Sequence, residues 1–341
     1  MQQFFERMTI EADVIVTIAI MLITGFAMTR ITKKLKLPNV TAYILAGIII
    51  GPYVLNIIPV NIIQGMNFLS DIALTFIAFS VGEFFELSVL KKNGMKVVII
   101  TLFEALLASA LVFMVMFFIL KLNLAFSIVL AALASATAPA STMMTIRQTG
   151  AKGDFVETLL QVVALDDIVG LVAYSIAISV AMASMSGENG INFLNILQPI
   201  LINIGVLILG GIFGVLLKIM IPQKRSTDNR LIIAIALLFG FCGICTTLDI
   251  SPLLGCMSMG MIYINLAKDD RIFKQVNYFS PPILLLFFVK SGIGFKLDAL
   301  VNSSTVVGSI SLIGIGIIYF LVRIVGKYFG AYLRMYDCEK G

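Results

Sequence analysis

The sequence predicts an all-α fold that crosses a membrane many times. Of its 341 residues, 60% are hydrophobic and only 13% charged, and the mean hydropathy is +1.05, a balance that soluble domains do not show. Breaking the chain at charged or Pro/Gly-rich turns leaves eleven apolar segments, most of them near the roughly 20 residues that span a bilayer as a helix. The basic residues between them fall in alternate turns, as expected of a chain that weaves back and forth.

The segments run over 14–31, 38–57, 65–86, 95–120, 123–148, 155–185, 195–220, 230–249, 251–266, 275–297 and 304–335. Inside hydrocarbon the backbone must satisfy its own hydrogen bonds, so each is expected to be helical. The opening stretch MQQFFERMTIEADV carries mixed charge and no basic n-region before a cleavage site, so segment one is expected to stay in the protein rather than act as a signal peptide. Eighteen of the 24 Lys and Arg residues sit in alternate connections and after the last segment; only Arg7, Lys121 and Lys296 fall on the opposite side. The positive-inside rule then places the N-terminus outside and the C-terminus in the cytoplasm. This distribution also accounts for the net charge of +5 without a nucleic-acid partner.

An internal repeat is visible. FIAFSVGEFFELSVL (76–90) aligns without gaps on LFFVKSGIGFKLDAL (286–300), matching Gly82 to Gly292, Phe85 to Phe295, Leu87 to Leu297 and Leu90 to Leu300. The first copy ends at the cytoplasmic side and the second at the external side, so the copies are inverted. Such repeats are a recurrent plan of secondary transporters, with the ion site near the midplane. The expected organisation is a first six-helix repeat over 1–186, a linker helix and cytoplasmic loop over 187–228, and a second repeat over 229–341.

The chemistry is confined to a few side chains. There is no histidine, which removes the usual group titrating near neutrality and leaves carboxylates and lysines to carry protons. Cys242 and Cys245 form a C-x-x-C inside an apolar helix, where small packing residues are the expected reading. Segment five, LAALASATAPASTMMTIRQ, carries Pro139 near its middle. Proline removes a helix hydrogen bond, giving either a simple kink or a discontinuous helix at Thr137-Ala138-Pro139 whose freed carbonyls and Thr137 hydroxyl face a polar cavity. Segment six holds Asp166 and Asp167 side by side in QVVALDDIVGLVAYSIAIS. A carboxylate at the bilayer centre costs about 2.5–3.5 kcal/mol on insertion scales, so intramembrane pairs mark function by default. Consecutive residues on a helix point about 100° apart, so one aspartate can face a cation-accessible crevice while the other meets a partner within the bundle. Lys327 in the last segment supplies such a partner, or else snorkels to the interface. Glu104 and Lys290 are further intramembrane charges, either pathway residues or members of structural ion pairs.

LPNVTAYILAGIIIGPYVL, ASATAPAST, LLQVVALDDIVGLV, PPILLLFFVKSGIGFKLD and LVRIVGKYFGAYL occur here in one order. Together they resemble the bacterial monovalent cation:proton antiporters, specifically the sodium/proton exchanger-like branch with a paired-aspartate motif. The resemblance covers nearly the whole chain. It implies a homodimer in the lipid bilayer, each subunit having a dimerisation panel and a mobile core that alternates access like an elevator. It further implies exchange of a monovalent cation (sodium first, potassium or lithium as alternatives) for protons, with no cofactor and no enzymatic step. Asp167 matches the family's cation- and proton-binding carboxylate, Asp166 the neighbour that pairs with a membrane lysine, here Lys327, and Thr137 the break in the crossing helix. The family has about thirteen helices, of which eleven are expected here. Lys290 stands where the family has a small or apolar residue. The alternatives are a potassium-efflux type channel or transporter, and an intramembrane aspartyl protease, which would need two carboxylates converging from different helices.

Overall fold

The computed structural model describes residues 10–58, 60–185, 193–221, 226–298, 306–307 and 310–338. Arg7, Lys224, Arg225, Lys340 and the last repeat residue, Leu300, lie outside them. Among the described residues the fold is helical but for one short antiparallel pairing of Val306–Val307 with Ile310–Ser311. The helices are α1 (Ile10–Lys34), α2 (Asn39–Ile50), α3 (Val60–Gly65), α4 (Phe68–Gly82), α5 (Leu87–Phe113), α6 (Leu124–Ser135) and α7 (Pro139–Thr149). They continue as α8 (Asp154–Met185), α9 (Phe193–Met220), α10 (Thr227–Thr247), α11 (Leu253–Ala267), α12 (Arg271–Phe279), α13 (Pro281–Ile293) and α14 (Leu312–Cys338).

Among the described residues seven helices are long and apolar enough to cross a membrane, α12 and α13 meet at a 50° bend and make an eighth if counted as one span, and α2, α6 and α11 are shorter apolar helices. Each of the eleven expected segments thus has its helix, with three corrections, the first being that, among the described residues, segment eleven is helical only from Leu312, after the Val306–Val307 and Ile310–Ser311 pairing. Segment two is helical only to Ile50, because Gly51-Pro52 opens a turn that the apolar run conceals. Segment ten is not one helix: Pro281 and Pro282 remove two backbone donors and a second helix starts there at a new angle.

Local chemistry sets the boundaries. Glu11 and Asp13 in the first turn of α1, with Lys33 and Lys34 in its last, complement the helix dipole. The Asn123 side chain accepts the Phe126 N–H at 2.8 Å and starts α6. Gly150, at φ +69°, and Gly153, at φ +121°, adopt the backbone that closes α7 and leads into α8. The α5 helix runs on through one π-helical turn, Met114–Ile119, where Phe113 and Phe117 stack at 5.4 Å.

The chain divides into two compact units, each drawn from three separate stretches of the sequence. One comprises Met1–Glu83, Ala140–Ala151 and Leu209–Asp298; the other comprises Phe84–Pro139, Lys152–Ile208 and Ala299–Gly341. In the first, Met21, Ile50, Ile58, Leu69, Leu286 and Val289 form a buried core. Its helices cross at glycines. A Cβ on Gly82 would lie 2.7 Å from the Cα of Gly260, and one on Gly47 would lie 2.9 Å from the Cα of Gly292. The two glycines matched by the repeat, Gly82 and Gly292, therefore do the same job in α4 and α13, each letting its helix approach another through a facing glycine. Lys290 donates to Asn67 Oδ1 at 2.9 Å and to Ser70 Oγ at 3.0 Å in this unit. Cys242, Cys245 and Cys256 are buried free thiols.

Arg230 at the start of α10 is buried and bridges to Asp269, between α11 and α12. Burial pushes the Asp269 carboxyl up, but the Arg230 guanidinium and the Arg271 backbone N–H outweigh it and hold the carboxyl below its ordinary value. A depressed folded-state pKa stabilises above the unfolded value of about 4 and is lost as pH falls through the folded value. Asp269→Asn is therefore expected to lower the melting temperature at pH 7. That difference from wild type should close in acid, and an equal difference at pH 7 and in strong acid would contradict the assignment.

In the second unit, Val112, Met116, Leu122, Ala131, Ala134 and Ile315 form the core. Here α14 lies directly on α5. A Cβ on Gly326 would sit 2.6 Å from the Cα of Ala108, and one on Gly330 2.6 Å from the Cα of Glu104. Gly326 and Gly330 are spaced as G-x-x-x-G, the pattern by which membrane helices bring their backbones together. Gly330→Val would force α14 off α5, and a loss of about 1–3 kcal/mol is expected from the overpacking. Thermal unfolding in detergent measures it; an unchanged midpoint would mean the helices do not depend on this contact.

Candidate ion-binding site

The site in the second unit begins with a break in a helix. α6 stops at Ser135 and Ala136 is extended at φ −73°, ψ 145°; the helix resumes only at Pro139. Pro139 has no N–H to continue the ladder and disfavours helical backbone just before it. The interruption expected at Thr137-Ala138-Pro139 is present as a discontinuity, not a kink. It leaves the last carbonyls of α6 without helical partners, at the end where the dipole is negative.

Two cations from α14 meet those carbonyls. Arg323 donates through Nε to Ala134 O at 3.3 Å and through a terminal nitrogen to Ala136 O. Lys327 donates to Ser135 O at 2.9 Å. Being four residues apart, they lie on one face of the helix, and the Gly326–Gly330 contact holds that face near Glu104. Lys327 also donates to Glu104 Oε1 at 2.9 Å and to Asp166 Oδ2 at 2.7 Å. Its ammonium has three protons, and all three are engaged.

Asp166 is fully buried. Its Oδ2 accepts from Lys327 and from Thr137 Oγ1, the latter at 2.7 Å. Its Oδ1 is buried with no hydrogen-bond partner among the described residues. One turn further along α8, Gly170 makes the approach to the break possible: a Cβ there would lie 2.5 Å from the Cβ of Ala136. Asp167, the next residue, is half-buried, with no ion pair or hydrogen bond among the described residues. Of the two aspartates, Asp166 is held within the bundle by Lys327 and Thr137.

The geometry brings together Asp166, Thr137, the break at Ala138 and Pro139, Lys327 and Glu104, with Asp167 adjacent. Glu104 is a member of the ion-pair cluster. Lys290 belongs to the other unit, bonded to neutral partners. Arg323 was visible in the sequence as an intramembrane charge, but its targets are backbone carbonyls, which leave no mark on the residue pattern. The i, i+4 spacing of Arg323 and Lys327 was the one available signal. A buried carboxylate with an unpaired oxygen, beside a second carboxylate without a partner, can take up a proton or a small cation. Either neutralises a charge that is costly to bury alone.

The profile of the transmembrane sodium/hydrogen exchanger family matches residues 17–337. An ammonium/proton antiporter subunit of Alkalihalophilus pseudofirmus is 23% identical over 282 residues, which cover 80% of this chain and 67% of that one. A probable sodium/proton antiporter of Methanocaldococcus jannaschii is 33% identical over 82 residues, covering 24% of this chain and 21% of the other. Two solved structures of a sodium proton antiporter from the same archaeon superpose on 96% of this chain with TM-scores of 0.71 and 0.75. Both are 20% identical to it, and 79% and 78% of their own chains are covered. These relatives are antiporters and not enzymes. With its helices, its broken helix and a family match over nearly its whole length, the chain is a multi-pass membrane protein that belongs to the sodium/hydrogen exchanger family.

Proposed function

We propose that the protein exchanges sodium for protons across a bacterial-type inner membrane, with Asp167 taking either ion in turn. The observation that carries this reading is the division of labour in the aspartate pair. Asp166 is locked to Lys327 and Thr137, while the adjacent Asp167 has no partner among the described residues. Proton and cation then compete for one carboxylate, and because either excludes the other, their fluxes are coupled. Asp166 releases Lys327 to Glu104 when the cation arrives, and its unpaired Oδ1 joins the cation's ligands. Thr137 orients Asp166, and Arg323 neutralises the open end of α6 so that the break persists beside the carboxylates.

Access alternates by an elevator-type movement within a homodimer. The inverted halves, 1–186 and 229–341, are joined by 187–228, with the N-terminus outside and the C-terminus in the cytoplasm. The alternating placement of Lys and Arg and the matched glycines of α4 and α13 support this organisation. The chain belongs to an antiporter family, and no carbonyl filter sequence favours a channel. A protease would require both carboxylates to converge on one water from different helices, whereas these two are consecutive on α8 and Asp166 is held by Lys327.

Reconstituted vesicles carrying an imposed pH gradient test the proposal. Adding sodium is expected to discharge the gradient, and lithium, potassium and ammonium tested in the same way rank the cations. Cation flux that continues with no proton movement would make the protein a channel and overturn the reading.

A further inference from the structure

A crevice of about 390 Å³ lies between α4 and α10 within the first unit, with Phe68, Asp71, Phe239, Gly243, Thr246 and Thr247 in its walls. The α4 span begins at Phe68 and the α10 span ends at Thr247, so the crevice sits at one end of two membrane helices, where lipid headgroups lie. Asp71 is the one charged residue lining it. Its carboxylate is half-buried and makes no hydrogen bond or ion pair among the described residues. Lys290 of α13 feels that charge but donates to Asn67 and Ser70. A carboxylate in a membrane span is costly without a cation beside it. The volume says what kind of cation: a water occupies about 30 Å³, so a bare monovalent ion would leave most of the crevice empty. Sites for organic ligands run to roughly 300–1,000 Å³, and this one is in that range.

The polar groups narrow the choice further. The Thr246 hydroxyl donates to Cys242 O at 2.9 Å and the Thr247 hydroxyl to Gly243 O at 2.8 Å. With their single protons engaged inside α10, both oxygens can only accept, as can the ionised Asp71. A primary ammonium has three N–H donors for these acceptors, whereas a quaternary ammonium has none. Phe68 and Phe239 supply aromatic surface that attracts a cation, and Phe239 is held edge-on to Phe76 with centroids 5.9 Å apart. Ile232 and Phe239, both exposed and seven residues apart, carry the same face of α10 along the span as an apolar track. We infer that the crevice binds a membrane lipid with an ethanolamine headgroup, its ammonium held by Asp71, Thr246 and Thr247 and an acyl chain lying along α10. An anionic headgroup would meet Asp71 with no cation among the lining residues to offset it.

The full chain, purified in detergent, is titrated with ethanolamine, choline and glycerol phospholipids of identical acyl chains and with free ethanolamine, and bound molecules are counted by native mass spectrometry. The ethanolamine lipid should bind about tenfold or more tightly than the choline lipid, which cannot make the charged hydrogen bonds. Asp71→Asn should abolish this preference. Gly243→Leu should abolish it by filling the crevice: a Cβ there meets no atom within 4 Å, and leucine favours a helix over glycine, so this variant serves if the asparagine variant fails to fold. Equal binding of the three lipids would mean an unselective lipid annulus and overturn the inference, as would a preference that survives in Gly243→Leu. Free ethanolamine bound as tightly as the lipid would make this a site for soluble amines and overturn the lipid assignment.

Discussion

Asp167→Asn is expected to reduce sodium-dependent proton flux by at least about a hundredfold while leaving insertion and thermal stability close to wild type. The magnitude follows from the chemistry. Removing the charge that answers a desolvated cation forfeits about 3 kcal/mol or more, and each 1.4 kcal/mol is a factor of ten. Preserved stability follows from the structure, since Asp167 makes no hydrogen bond or ion pair among the described residues, and asparagine has nearly the same shape. Flux in vesicles and an unfolding curve in detergent read the two halves of the expectation. Exchange that survives the substitution would remove Asp167 from the transport step.

The opposite pattern is expected at Lys327, where stability falls as well as transport. Lys327→Ala strips three acceptors of their shared donor at once: Glu104, the Ser135 carbonyl and Asp166. Breaking a buried pair by removing one partner costs about 3–5 kcal/mol, because the remaining charge stays buried without compensation. The melting temperature should therefore drop markedly. Adding Glu104→Gln to Lys327→Ala should recover part of the loss, since it removes one of the stranded anions, and the two changes should be non-additive. A Lys327→Ala protein that melts with wild type would mean that the lysine snorkels to the interface in the membrane.

Much of this site could be read from residue types alone, because charge in an apolar helix is conspicuous. Asp166, Asp167, Glu104 and Lys327 stood out for that reason, and Pro139 among small polar residues marked the break. The partnerships were harder to see. Glu104 and Lys327 lie 223 residues apart, and no local pattern distinguishes an ion pair at that separation from two independent charges. Arg323 acts on carbonyls that every residue possesses, so its role appears only once the break is positioned against α14. The G-x-x-x-G at Gly326 and Gly330 was available in the sequence as a packing signal, and it is what brings Lys327 to Glu104. Helix limits failed where apolar character outlasts helical geometry: the run through Ile50 continues past Gly51-Pro52 although the helix does not, and Pro281-Pro282 bends a stretch of unbroken hydropathy.

Competition of two ions for one carboxylate is most directly tested by proton release on cation binding. Sodium is added to the purified protein in weakly buffered detergent near the pH at which Asp167 is half protonated, and the liberated protons are followed with an indicator dye. Wild type should release protons saturably with sodium, approaching one for each cation that displaces a proton, and Asp167→Asn should release none. Sodium binding without proton release, or equal release from the Asp167→Asn protein, would contradict the account.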